Sequence, residues 1–145
     1  MTPTSAEGPL PERLVDTSVA VALLVPDHDH HKATFDAVGG LRLGLAGHAA
    51  FETYSVLTRL PPPARRTSGA AARLLSANFA GTRFLGADES EALLASLADN
   101  GITGGQVYDA LVGAAAKHHG IVLTTRDRRA ADTYRTLDVD FEMLS

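Results

Sequence analysis

Short apolar runs alternate along this chain with stretches of helical periodicity, and turn residues separate them. A run of about four or five apolar residues suits a buried strand, whereas helical periodicity sustained over about ten residues suits a helix. Arg13-Leu14-Val15 reads as a strand ended by Asp16, and Thr17 and Ser18 are N-cap candidates for a helix over 19–25 that Pro26 stops. Residues 32–38 form a second helix closed by Gly39 and Gly40, and 41–45 a second strand. Residues 46–60 are helical up to the break at Pro61-Pro62-Pro63; a helix over 70–79 and a brief strand over 82–85 follow. An acid-rich first turn opens a helix over 88–99, and the helix over 106–119 is closed by Gly120. The clearest buried strand is 121–124, followed by a helix over 128–137 and a last strand over 139–143. Such alternation predicts an α/β domain on a mainly parallel sheet of four to five strands.

With 145 residues, 45% of them apolar, the chain can bury one core but hardly two. Residues 1–12, rich in Pro, Ser and Thr, read as a flexible N-terminal tail, and 13–145 as a single domain. The absence of cysteine excludes disulfides, thiolate metal sites and a cysteine nucleophile. No apolar run approaches the roughly 20 residues that cross a bilayer, and no basic-then-apolar leader opens the chain, so a cytoplasmic protein without a membrane partner is expected. A net charge of -4 argues against general coating of a polyanion; any nucleic-acid partner needs something other than bulk positive charge.

Four acids stand where solvated charge is unusual. Asp16 ends an apolar strand, Glu52 lies inside a helix, Asp109 sits between Val107-Tyr108 and Ala110-Leu111-Val112, and Asp127 follows the best strand. Each has a plainer reading when taken alone. Asp16 and Asp127 can cap helices, Glu52 can be a partly exposed charge, and Asp109 can pair with an arginine. In a parallel sheet, however, strand C-termini share one edge, where ligands bind, which places Asp16 and Asp127 on the same rim. Two carboxylates about 5 Å apart repel by roughly 3 kcal/mol at an effective dielectric near 20, so several together require protons or cations. Oxygen-only ligands select a hard divalent ion, Mg²⁺ or Mn²⁺, which activates water and stabilises charge on a phosphoryl oxygen.

Leu14-Val15-Asp16-Thr17-Ser18, then Glu52, then Val107-Tyr108-Asp109-Ala110-Leu111, then Leu123-Thr124-Thr125-Arg126-Asp127, resemble the PIN domain in that order. More narrowly they resemble the VapC-type ribonuclease toxins of bacterial toxin–antitoxin pairs, over about residues 14–143. The resemblance implies a three-layer sandwich, with helices on both faces of the sheet. It implies catalytic, metal-holding roles for Asp16, Glu52, Asp109 and Asp127 around one or two Mg²⁺ or Mn²⁺ ions, supported by the hydroxyls of Ser18 and Thr125. The reaction implied is hydrolysis of an RNA phosphodiester by metal-activated water, leaving 5′-phosphate and 3′-hydroxyl ends. The partners implied are an RNA substrate, a cognate VapB-type antitoxin and a second copy of the chain.

Several features stay open at this level. His28, His30 and His31 with Asp27 and Asp29 read as a solvated entry to the second helix rather than a metal cluster. Arg126, Arg128 and Arg65 are candidates for RNA contact, with solvated charge as the default. Tyr54 and Tyr108 are expected in the core rather than as stacking platforms. A PIN nuclease of RNA processing and a non-catalytic PIN-like interaction module are the alternatives; a phosphoacceptor domain fits less well, because neither Lys32 nor Lys117 follows a strand.

Overall fold

The computed structural model describes residues 8–145. In chain order it contains β1 (Arg13–Val15), α1 (Thr17–Leu24), α2 (His31–Val38), β2 (Leu43–Leu45), α3 (Ala49–Arg59), α4 (Ser68–Asn78), α5 (Ala87–Ser96), α6 (Gln106–His119), β3 (Leu123–Thr125), α7 (Arg128–Thr136) and β4 (Phe141–Met143). The strands pair in the order β2-β1-β3-β4, every pairing parallel, with Val15 opposite both Leu45 and Thr124. Chain order therefore reverses direction between β1 and β3, which makes that gap the switch point where α/β sheets hold ligands.

Successive strand residues point to opposite faces, so consecutive buried residues report a sheet covered on both sides. Leu14 and Val15 are both fully buried, as are Leu123, Thr124 and Thr125, and all of β2 is buried. Helices therefore close both faces, in agreement with the three-layer arrangement. The main core gathers Leu14, Val15, Val19, Leu45, Leu57 and Leu123 with Tyr134 from α7. Gly120 closes α6 in a left-handed conformation (φ 67), which glycine adopts without a Cβ penalty, and so turns the chain into β3. Among the described residues no helix is long and apolar enough to cross a membrane.

Two expectations need correction. The brief strand over 82–85 does not form; the segment contacts the β2 edge only through isolated bridges, antiparallel at Gly44–Ala80 and parallel at Ala46–Arg83. The opposite senses have a local cause. The chain turns between them, with the Thr82 N–H and hydroxyl both donating to the Phe79 carbonyl, so no continuous ladder can run. The tail expected over 1–12 lies partly outside the described residues, and its described part is packed rather than loose. Pro11 is buried near Gly81, the Arg83 guanidinium donates to the Gly8 and Pro9 carbonyls, and the Glu12 carboxylate accepts from the Arg42 backbone N–H at 2.8 Å.

The approach of this turn to β2 depends on a missing side chain. A Cβ at Gly44 would stand 2.2 Å from the Gly81 carbonyl oxygen, whereas one at Gly40 would meet nothing. Gly44→Ala is expected to destabilise the protein by about 2 kcal/mol or more, and Gly40→Ala to be within about 0.5 kcal/mol of the parent. Chemical denaturation of the two variants checks this pair.

Candidate active site

Asp16 follows β1 directly and is the N-cap of α1, its carboxylate accepting from the Val19 N–H. Asp127 stands two residues beyond β3 and caps α7, accepting from the N–H groups of Arg129 and Ala130. The plainer reading of both acids as caps is therefore realised, but it does not exhaust them. Asp16 is buried, and three side-chain hydroxyls converge on its carboxylate: Ser18 at 2.5 Å and Tyr134 at 3.0 Å, with Thr125 also donating. The network continues outward. The Arg126 N–H donates to the Ser18 hydroxyl at 2.9 Å and the Asp127 N–H to the Thr125 hydroxyl at 3.0 Å. Ser18 and Thr125 thus latch the β1–α1 turn to the β3–α7 turn across the switch point.

Glu52 projects from the first turn of α3 and Asp109 from that of α6. Asp16, Glu52, Asp109 and Asp127 line one small cavity of about 40 Å³ with Thr17, Ser18, Val112 and Tyr134. The structure thus brings together all four acids singled out in the sequence. Burial raises the carboxyl of Asp16 above its ordinary range despite its hydrogen bonds. Burial raises Glu52 as well; His48, 3.7 Å away, opposes that shift and the charges of Asp16 and Asp127 reinforce it. Asp109 is pushed up to about 6, first by burial and then by Asp127, Glu52 and Asp16, with Arg129 opposing. Asp109 makes no hydrogen bond or ion pair among the described residues, so its expected alternative role as an arginine's partner is not realised.

Among the described residues no three acids converge as a finished ligand set for one ion. Both Asp16 oxygens accept from hydroxyl donors, one Asp127 oxygen accepts from backbone donors, and Glu52 lies toward His48. The donor chemistry nevertheless suits a hard divalent ion: carboxylate and hydroxyl oxygens only, strong mutual repulsion, and a cavity of ion size.

Other candidates divide. Arg126 and Arg128 line a second cavity that shares Thr17, Ser18 and Asp127 with the first. Arg65 lines neither; its guanidinium donates to the Leu60 carbonyl at 2.8 Å on the loop after α3. Tyr54 and Tyr108, expected in the core, are instead 37% and 52% exposed, and Tyr108 stacks on His48 at 5.1 Å beside the acids. Sequence reasoning missed Tyr134 and His48. Tyr134 is two helical turns beyond Asp127 on the face of α7 that also buries Ala130 and Ala131, a periodicity readable in principle. His48 carries no such signal beyond its place one turn before Glu52.

The family model of the PIN domain matches residues 13–136. The chain is 49% identical over 129 residues to Ribonuclease VapC27 of Mycobacterium tuberculosis, covering 89% of this chain and 94% of that relative. It is 45% identical over 134 residues to Ribonuclease VapC40 of the same species, covering 90% and 97%. Among solved structures it resembles FitAcB from Neisseria gonorrhoeae with a TM-score of 0.60 at 18% identity, covering 89% of this chain and 95% of that one, a likeness of fold. It also resembles PAE2754 from Pyrobaculum aerophilum, with a TM-score of 0.54 at 25% identity over 87% and 92% of the two chains.

The raised carboxyl of Asp109 fixes the sign of a stability effect. An acid whose folded pKa is about 6 against an ordinary 3.8 binds its proton more tightly when folded, so stability falls as pH rises through that window. Asp109→Asn is expected to match the parent near pH 4 and to be more stable at pH 7.5 in a chelating buffer. The expected gain is about 1 kcal/mol once solvent screening of a half-exposed carboxylate is allowed for. Thermal melts at the two pH values check it, and equal differences at both would refute the charge-repulsion account.

Proposed function

The chain belongs to the PIN domain family, and from that premise we propose that it is a VapC-type ribonuclease, the toxin of a toxin–antitoxin pair. It hydrolyses RNA phosphodiester bonds in the cytoplasm with the aid of Mg²⁺ or Mn²⁺, one or two ions. The observation that carries the reading is Asp109. It faces three other carboxylates and has no structural partner among the described residues. A charge kept at such cost serves chemistry rather than stability.

Asp16, Asp109 and Asp127, with Glu52, are the residues that would hold the ion. When bound there, a divalent ion supplies Lewis-acid stabilisation of phosphoryl charge and lowers the pKa of water. The chain's own part is positioning. The hydroxyls of Ser18, Thr125 and Tyr134 fix the Asp16 carboxylate so that it cannot swing away from the strand edge. The N–H groups at the start of α7 fix one oxygen of Asp127 and leave the other for a ligand. Glu52 and Asp109 come from separate helices, so four acids line one cavity without any two being chain neighbours.

The partners that complete this reading are an RNA whose loop shape sets specificity, a cognate VapB-type antitoxin, and a second copy of the chain.

The test is cleavage of cellular RNA by the purified protein. Activity is expected with Mg²⁺ or Mn²⁺ and not with a chelator, and Asp109→Asn or Asp127→Asn should reduce it by about 10²-fold or more. Asp16→Ala is the poorer probe, because it also removes a cap and leaves buried hydroxyls unpaired, at a cost of about 1–3 kcal/mol. Undiminished cleavage by Asp109→Asn would sink the assignment of the acids. Cleavage without growth arrest on induction would point to an RNA-processing nuclease instead of a toxin.

A further inference from the structure

Beside the acid pocket lies a larger cavity of about 580 Å³, walled by Thr17, Ser18, Val21, His28, His30, Arg126, Asp127, Arg128, Leu144 and Ser145. The histidines, which in sequence look like a solvated helix entry, thus face the arginines that follow β3. Thr17, Ser18 and Asp127 line both cavities, so a chain of atoms occupying one passes directly into the other.

Its polar lining sets two guanidinium groups and two imidazoles beside the Asp127 carboxylate, and one guanidinium is held in place from behind. Arg126 donates to the Thr34 hydroxyl at 3.2 Å and to the Ser145 carbonyl at 2.7 Å, which anchors the guanidinium and leaves further N–H donors. Arg128 has no hydrogen-bond or ion-pair partner among the described residues. The His28 Nδ1 accepts from the His30 N–H at 3.0 Å, so in the neutral ring the Nε2 carries the proton and is a donor. Burial lowers the pKa of that imidazole, with Arg126 reinforcing the shift and Asp29 opposing it. The same cavity is lined by the apolar side chains of Val21 and Leu144. Anion donors together with apolar side chains, in a volume of ligand-pocket size, match a nucleotide better than an acidic peptide, which has no use for the apolar part.

We propose that this cavity is a nucleotide subsite, in which His28, His30, Arg126 and Arg128 hold the phosphate of the residue flanking the scissile bond and Val21 and Leu144 take its base. The inference rests on the ribonuclease reading for its substrate, but its test does not require cleavage. It also gives a chain of net charge -4 a local pair of guanidinium groups with which to engage a polyanion.

The experiment measures anisotropy of a labelled single-stranded RNA pentanucleotide with the full chain in a chelating buffer. Binding is expected, and His28→Ala and Arg128→Ala should each weaken it about tenfold while keeping the parent melting temperature. Arg128→Ala should also lower the salt dependence by about 0.7 in log–log slope, the loss of one phosphate contact to a single strand. With Mg²⁺ present, the same variants should raise KM and leave kcat within about threefold, a split that general structural damage would not produce. Unchanged RNA affinity in both variants would overturn the proposal. So would pentaglutamate competing as well as RNA of equal charge, since the cavity would then be a peptide-carboxylate site. Absence of cleavage with intact, variant-sensitive RNA binding would strike the ribonuclease reading and leave the subsite standing.

Discussion

The buried carboxylate of Asp16 is the joint on which this structure turns. It receives hydroxyls from the first turn of α1, from β3 and from α7, as well as the Val19 N–H in that first turn. Burying an ion costs several kcal/mol unless its lone pairs are satisfied, and here four donors satisfy them. The consequence is mechanical. Two three-residue strands are too short to define their own loops, yet the loops leaving β1 and β3 are locked together at the switch point. Ser18 and Thr125 pass that lock on to the backbone of Arg126 and Asp127, so the position of Asp127 is inherited from Asp16.

Glu52 and Asp109 are held differently, and the contrast is informative. Their helices are fixed by packing: α3 buries Leu57, and α6 buries Val112 and Ala116, in the main core. Their carboxyls, however, lack the dense donor shell of Asp16. A rigid pair of acids and a looser pair share one small cavity, so charge repulsion is concentrated on Asp109, where burial and three like charges act together. Folding supplies the geometry of this site and is opposed by its charge, a common compromise where function sets the composition.

Much of this could be read from the residues alone, for reasons that can be stated. Parallel strands buried on both faces appear as unbroken apolar runs, which is why Leu14-Val15 and Leu123-Thr124 were visible. Helix ends were legible where Pro61 or Gly120 enforces them. The segment over 82–85 misled because apolar β-type residues there serve an edge turn, and nothing local distinguishes a bridge from a ladder. Residues 9–12 read as tail because proline suppresses periodicity, although the contacts of Arg83 and Arg42 tie this segment down from far along the chain. Of the site, the four acids were legible from the apolar strands and helices they stand in or follow, and Tyr134 was readable in principle from the buried face of α7, whereas His48 acts through tertiary proximity that no spacing encodes.

The arrangement of the arginines after β3 bears on the acids themselves. Arg126 and Arg128 flank Asp127 in the chain, and an ion pair with either would have turned that carboxylate into a structural element. No such pair forms among the described residues. The guanidinium of Arg126 is drawn the other way, to Thr34 on α2 and to the Ser145 carbonyl, and Asp127 spends one oxygen on backbone donors only. Asp127 lines both adjoining cavities and Arg126 and Arg128 only the larger, so opposite charges adjacent in sequence meet at a shared boundary without pairing. An acidic wall and a basic wall that neutralised each other could bind neither a cation nor a phosphate. Held apart by these few hydrogen bonds, they remain available to both.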